Sequence, residues 1–317
     1  MAHGVDPTKC QATGKFLPRI RETLDGWRKQ DPATQKELPV EVDVPEYLVD
    51  LAYIKGATEK DKAVADLVMI AFYYLLRVGE YTAKGKGHQD WEESQTQTQP
   101  FRLKDIAFFS RHPSTDRLVR LSPNASDDEI MSASNATLKL GNQKNGWKDV
   151  CINHEHNLHE TLCGVRAIGR RYCHIRRNSS NPNTPLFTYY EGGKGKRVND
   201  QDIREAVKMA ARQLDYEGTR GTPISLINTH SLRIGGACAL ALAGFDDTQI
   251  CKMGRWKSKA FREYIRENLS NYAEGMSKAM KKCHHFVNID SGTYTDVSEI
   301  CELDSNGDPR LRPAAAA

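Results

Sequence analysis

The chain has 317 residues, of which 39% are hydrophobic and 27% charged, and its formal charge is +4 at neutral pH. That balance fits a folded, water-soluble protein with ample core, and it speaks against a disordered or disulfide-stapled chain. The longest apolar run, AVADLVMIAFYYLL at 63–76, carries Asp66 and falls short of the roughly 20 residues needed to cross a bilayer.

The N-terminus, MAHGVDPTKCQATGK, lacks the apolar centre of a signal peptide. Several of the eight cysteines, among them Cys163, Cys238 and Cys251, sit inside helical patterns as reduced thiols do. The expectation is a reducing compartment, nuclear or cytoplasmic, with no secretion and no membrane partner. A charge of +4 permits a nucleic-acid partner without requiring one, so the placement of the charge matters more than its sum.

Residues 1–44 are polar and hold one short amphipathic stretch, FLPRIRETLDGWRKQ; they read as a tail or linker, or the remnant of an upstream domain. Helices are predicted at 45–56 and 59–83, the second ending near Arg77. A turn-rich loop follows, and then strand-like pieces at 102–110, 116–122, 136–142 and 147–153. The last two flank Asn145-Gly146, a strong hairpin signal. Helical patterns resume at LHETLCGVRAIGRRYCHIRRN, NDQDIREAVKMAARQL, THSLRIGGACALAL, DDTQICKMG and SKAFREYIRENLSNYAEGMSKAMKK. Residues 286–317 read as a loose tail, which leaves 45–285 as one α+β unit, mainly helical with a small antiparallel sheet.

The stretch NTHSLRIGGACALALAG at 228–244 opens an otherwise burial-prone helix with His230 and Arg233. Asn228 or Thr229 can cap this helix, and Gly244 can close it in the left-handed conformation. His230 and Arg233 then share one face of the first turn, beside free backbone N–H groups and the positive end of the dipole. Two readings follow: the pair binds internal acids, or it binds a phosphate. In GFDDTQICKMG, Asp246 and Gln249 form a cap-box pattern and Gly254 a stop. Arg166, Arg170 and Arg177 lie near one helix face with Arg171 and Arg176 alongside, which makes either a solvated basic face or a phosphate-tracking stripe. Cys151, His154, His156, His159 and Cys163 have spacings that zinc could use, but no second ligand pair supports a site, and a histidine-rich loop is the default.

Taken together, LLRVGE, QKNGWKD, HSLR, GRW and FREY appear in the order that marks the tyrosine recombinases, and GRWKSKAFREYIR looks most like the crypton and DIRS-type recombinases of eukaryotic mobile elements. The resemblance covers about 45–275. Its spacing from Trp256 to Tyr264 is one residue shorter than the commonest in the family, and the expectation is that the upstream domain that completes the clamp on DNA is reduced to the N-terminal tail or lies outside this sequence.

The resemblance implies a catalytic set of Arg77, Lys144, His230, Arg233, Trp256 and Tyr264, with Glu80 orienting Arg77. Tyr264 would attack a phosphodiester and hold the 3′ phosphate covalently. Arg77 and Arg233 would neutralise its oxygens, and Lys144 would protonate the leaving 5′ oxygen. His230 would take or relay the phenol proton, and the Trp256 indole N–H would hold the phosphate. Tyr272 is a rival nucleophile, and Lys139 and Lys148 are rivals for the hairpin lysine. This chemistry calls for no cofactor and no metal. Its partners would be double-stranded DNA, contacted also by Arg166, Arg170, Arg171 and Arg177, and further copies of the chain in a tetramer. The alternatives are a type IB topoisomerase-like relaxing enzyme and an inactive, domesticated DNA-binding module.

Overall fold

A computed structural model describes residues 8–10, 12–13, 15–23, 37–54, 56–83, 98–141, 150–256, 262, 301–303 and 309–311. The chain divides into two units, Met1–Ile265 and Arg266–Ala317. In the second unit the described residues form one antiparallel pairing, Cys301–Leu303 with Pro309–Leu311. All that follows concerns the first.

Helix α1 (Asp43–Ala52) buries the stripe Val44, Leu48, Ala52 with Pro45 and Val49. Helix α2 (Glu59–Tyr73) starts at a reciprocal cap, in which the Asp61 N–H donates to Thr58 Oγ1 at 3.1 Å and the Thr58 N–H donates to Asp61 Oδ2 at 2.9 Å. Every residue from Ala63 to Phe72 is buried, because α2 is the central helix, with other elements packed around it. The apolar run that could not span a membrane is therefore the core of the domain.

Helix α2 stops earlier than the sequence pattern implies. Leu75 adopts φ 49°, and the Leu76 N–H reaches back to the Ala71 carbonyl at 3.0 Å, a closure usually made with glycine. A one-turn helix α3 (Val78–Tyr81) follows. The strands β1 (Ile106–Arg111), β2 (Leu118–Arg120), β3 (Asn135–Lys139) and β4 (Cys151–Glu155) form an antiparallel sheet in the order β2-β1-β3-β4. Ile106, Leu138 and Ile152 face one another across three strands and are all buried, and this fixes the register. The predicted β3–β4 pairing is present; its turn, 142–149, lies outside the described residues.

Helix α4 (Asp127–Met131) lies between β2 and β3, and helix α5 (Gly164–Asn178) follows β4, then a hairpin of β5 (Thr188–Glu191) and β6 (Lys194–Arg197) that turns on left-handed Gly192 and Gly193. That hairpin is not among the strands expected from the sequence. The helices α6 (Asp200–Gln213), α7 (Tyr216–Arg220), α8 (Thr229–Leu242) and α9 (Asp247–Gly254) complete the described fold. It is α+β, mainly helical with a small antiparallel sheet, as expected. Among the described residues no helix is long and apolar enough to cross a membrane.

Two corrections concern the arginine stripe on α5. The Arg171 side chain is buried and donates to the carbonyls of Leu186 (3.4 Å) and Thr188, so it pins β5 rather than facing a phosphate. Arg170 turns inward to Asp66 of α2, donating from Nε to Oδ1 at 2.7 Å, with the Tyr53 ring 5.2 Å away. Both are oriented by the apolar face of the helix they sit on. Arg166 bonds His156 at 2.7 Å, and the exposed Arg177 pairs with Asp127 at 2.6 Å. The histidine-rich segment is structural in the same way: His154 bonds the Tyr73 carbonyl at 2.7 Å, and His156 and His159 accept backbone N–H groups of their own turn.

Asp66 explains why the long apolar run contains a carboxylate. Burial raises its proton affinity, and Arg170 opposes this by charge and hydrogen bonding. Asp66→Asn removes the counter-charge of a buried guanidinium and is expected to cost about 3 kcal/mol in urea denaturation. Glu191→Ala, which breaks an exposed pair with Lys196, should change stability by less than about 1 kcal/mol.

Candidate active site

Four of the predicted site residues come from three separated segments. Arg77 lies at the break after α2, His230 and Arg233 on the first turn and a half of α8, and Trp256 just past α9. Two glycines bring these segments close. A Cβ on Gly235 would sit 1.9 Å from the Val40 carbonyl oxygen, and one on Gly236 would sit 2.3 Å from the Phe72 carbonyl oxygen. So α8 packs backbone to backbone on the end of α2, and the GG that follows HSLR is a packing requirement.

The left-handed turn at Leu75 aims its carbonyl at two cations. Arg233 donates to it from Nη1 at 2.6 Å and Arg255 from Nη2 at 3.0 Å. Arg233 donates its second Nη to the Gly254 carbonyl, and its guanidinium lies 4.4 Å from the centre of the Trp256 ring. That ring covers Gly254, where any Cβ would meet it at 1.6 Å. Arg233 is thus 1% exposed, held by carbonyls and an indole face.

Glu80 is fully buried, and its carboxylate serves two arginines. It accepts from the Arg77 backbone N–H at 2.9 Å and from Arg77 Nη1 at 3.4 Å, and Arg255 Nη2 donates to it at 2.8 Å. The Arg77 side chain remains 32% exposed, the most accessible guanidinium of the three. His230 is half-buried and its pKa is pushed down to about 4, first by burial and then by the charges of Arg233 and Arg77. Both guanidinium groups therefore lie close enough to act on one imidazole, which is neutral at pH 7.

The α8 N-terminus differs from the expected open anion site. Asn228 is the cap, its Oδ1 accepting from the Thr229 N–H at 2.8 Å. The Glu37 carboxylate lies beside this end, where burial raises its proton affinity and the Asn228 side chain and His230 backbone N–H oppose that. Asp246 and Gln249 do form the expected reciprocal cap, at 2.9 and 3.1 Å. The left-handed residue after α9, however, is Arg255 at φ 58°, not Gly254.

Lys144 and Tyr264 lie outside the described residues, as do the rivals Lys148 and Tyr272. Arg262, two positions before Tyr264, is ion-paired with Asp247 at the start of α9. Arg255, the middle residue of GRW, is not among the residues that the sequence marks out. The available signal was the carboxylate of Glu80, which can serve more than one cation.

His230 has a folded pKa below its unfolded value, so it contributes stability above pH 6.5 that is lost as pH falls toward 4. The imidazole signal, followed by NMR, should titrate with a midpoint near 4, and Arg77→Ala should raise that midpoint by removing a repelling charge.

No protein-family model matches the sequence, and no curated protein matches it. The fold is similar to solved structures at low identity. XerA recombinase shares 17% identity with a TM-score of 0.42, over 78% of this chain and 66% of that one. XerH site-specific recombinase, in a post-cleavage complex with palindromic difH substrate, shares 12% with a TM-score of 0.43, over 76% and 54%. The Tn1549 transposon integrase (residues 82–397, Y379F), in complex with transposon right end DNA, shares 13% with a TM-score of 0.37, over 79% and 66%. The chain spans about two thirds or less of the length of these chains.

Proposed function

We propose that this chain carries the catalytic domain of a tyrosine recombinase, a DNA-breaking and rejoining enzyme that works through a 3′-phosphotyrosine intermediate. The observation that carries the reading is the convergence of segments far apart in the chain: Arg77 sits on the buried Glu80, Trp256 lies against Arg233, and both arginines act on His230. Among the described residues three guanidinium groups, Arg77, Arg233 and Arg255, face two carboxylates, Glu80 and the Glu37 beside His230, which leaves the cluster cationic with His230 neutral. A phosphodiester is the ligand whose charge and oxygens match such a cluster.

In the proposed reaction the accessible Arg77 meets the non-bridging oxygens, and Arg233 adds positive potential from beneath Trp256. Neutral His230 accepts the phenol proton of Tyr264 as its oxygen attacks phosphorus. The bond from phosphorus to the 5′ oxygen breaks, and Lys144 protonates the departing oxygen. Rejoining runs the same steps in reverse, and exchange between two duplexes takes four copies of the chain. The free thiols of Cys10, Cys151, Cys163, Cys173, Cys238 and Cys251 accord with a nuclear or cytoplasmic setting.

The burial of Arg233, with two donors on backbone carbonyls, favours a second reading: a non-cleaving descendant that only binds DNA. A pool of nicked duplexes that trap a cleaved strand separates the two. The recombinase forms a denaturation-resistant protein–DNA adduct that Tyr264→Phe abolishes and Arg77→Ala slows by about 10²–10³-fold. DNA binding without any adduct supports the binding module. Relaxation of a supercoiled plasmid without joining between duplexes supports a topoisomerase-like enzyme.

A further inference from the structure

The end of α9 holds a feature that the proposed reaction does not use. The residue after a helix that closes with a left-handed turn is commonly glycine, because a Cβ there is strained. Gly244 fills that place after α8, with φ 87° and the Phe245 N–H on the Leu240 carbonyl at 3.1 Å. After α9 the same closure is made, with the Trp256 N–H on the Cys251 carbonyl at 3.0 Å, but the left-handed residue is Arg255. An arginine in this conformation costs on the order of 1 kcal/mol. It also carries its guanidinium into the interior, where the side chain is 0% exposed.

There the guanidinium bridges the anchors of the two other arginines. Nη2 donates to Glu80 Oε2 at 2.8 Å, the same carboxylate that holds Arg77. It also reaches the Leu75 carbonyl at 3.0 Å, the same oxygen that holds Arg233. Nη1 reaches the carbonyls of Tyr74 at 3.4 Å and Met253 at 3.3 Å, tying the end of α2 to the end of α9. Glycine would relax the backbone but would leave Glu80 with one cation and the two helix ends unbridged.

We propose that Arg255 is a positioning residue that sets the relative placement of Arg77 and Arg233 by holding Glu80 and the Leu75 carbonyl together. Shielded from solvent, it acts through those groups and touches no substrate. The proposal rests on the DNA-cleavage reading for its consequence but not for its geometry. Loss of Arg255 frees Arg77 and Arg233 to move, and these are the charges that act on His230.

The test compares Arg255→Gln with Asp66→Asn, a destabilising change in the other buried pair. Both are made in the full chain and shown to fold by urea denaturation. Two readouts follow: the His230 titration midpoint by NMR, and the single-turnover rate of adduct formation on the nicked duplex pool, with DNA affinity measured separately. Arg255→Gln should raise the His230 midpoint by half a unit or more and slow adduct formation at least tenfold, while DNA affinity stays within about threefold. Asp66→Asn should leave both readouts unchanged. A His230 midpoint that does not move in Arg255→Gln, or one that moves equally in both variants, overturns the proposal. If Arg255→Gln does not fold, the Glu80→Gln/Arg255→Gln pair, which neutralises both ends of the contact, carries the same readouts. If the wild-type chain forms no adduct, the cleavage reading fails, and the His230 midpoint alone still decides whether Arg255 positions the cluster.

Discussion

One buried carboxylate, Glu80, organises the candidate site. Three cationic side chains drawn into a protein interior repel each other, and their desolvation adds to that cost. Glu80 binds two of them directly, while the Leu75 carbonyl binds the third and shares Arg255. The cluster is possible because an acid and an oriented backbone dipole lie within one turn of each other. That in turn requires α2 to break at Leu75 rather than run on to Arg77.

The break is a local sacrifice with a tertiary reward. Leu75 and Arg255 both adopt left-handed conformations that disfavour side chains, and each closes a helix at the site. Gly235 and Gly236 let α8 approach until its backbone touches that of α2 and of the irregular segment at Val40. Strain and close approach fall at the same place, as they do where surrounding structure holds functional groups in position. By contrast, the arginines of α5 are absorbed into the scaffold: Arg170 neutralises Asp66 and Arg171 anchors β5. Basic residues on this chain divide by the company they keep, not by their count.

Much of the fold was legible in advance. The apolar run of α2, the pairing of β3 with β4, the cap at Asp246 and the stop at Gly244 all rest on local chemistry within a few residues. The β5–β6 hairpin escaped notice because its strands are short and β6 is exposed and charged, with no alternating pattern. The arginine stripe misled because helical spacing identifies residues that share a face and is silent about whether that face is covered. His230, Arg233 and Trp256 could be named from motif order, yet the carbonyl and indole surroundings of Arg233 could not.

Residue order was enough to establish an α+β chain of central apolar helix, small antiparallel sheet and later helices, since hydrophobic period, capping and turn chemistry are near-neighbour effects. Folding in three dimensions settled which cations meet which acids, that Glu37 lies beside the α8 N-terminus, and that Arg255 rather than Gly254 takes the left-handed turn. Those outcomes depend on segments far apart in sequence, such as those of Tyr74 and Arg255, being pressed together at atomic contact. No local pattern encodes the electrostatic balance that results, because a buried charge is stable only against partners that tertiary packing brings to it.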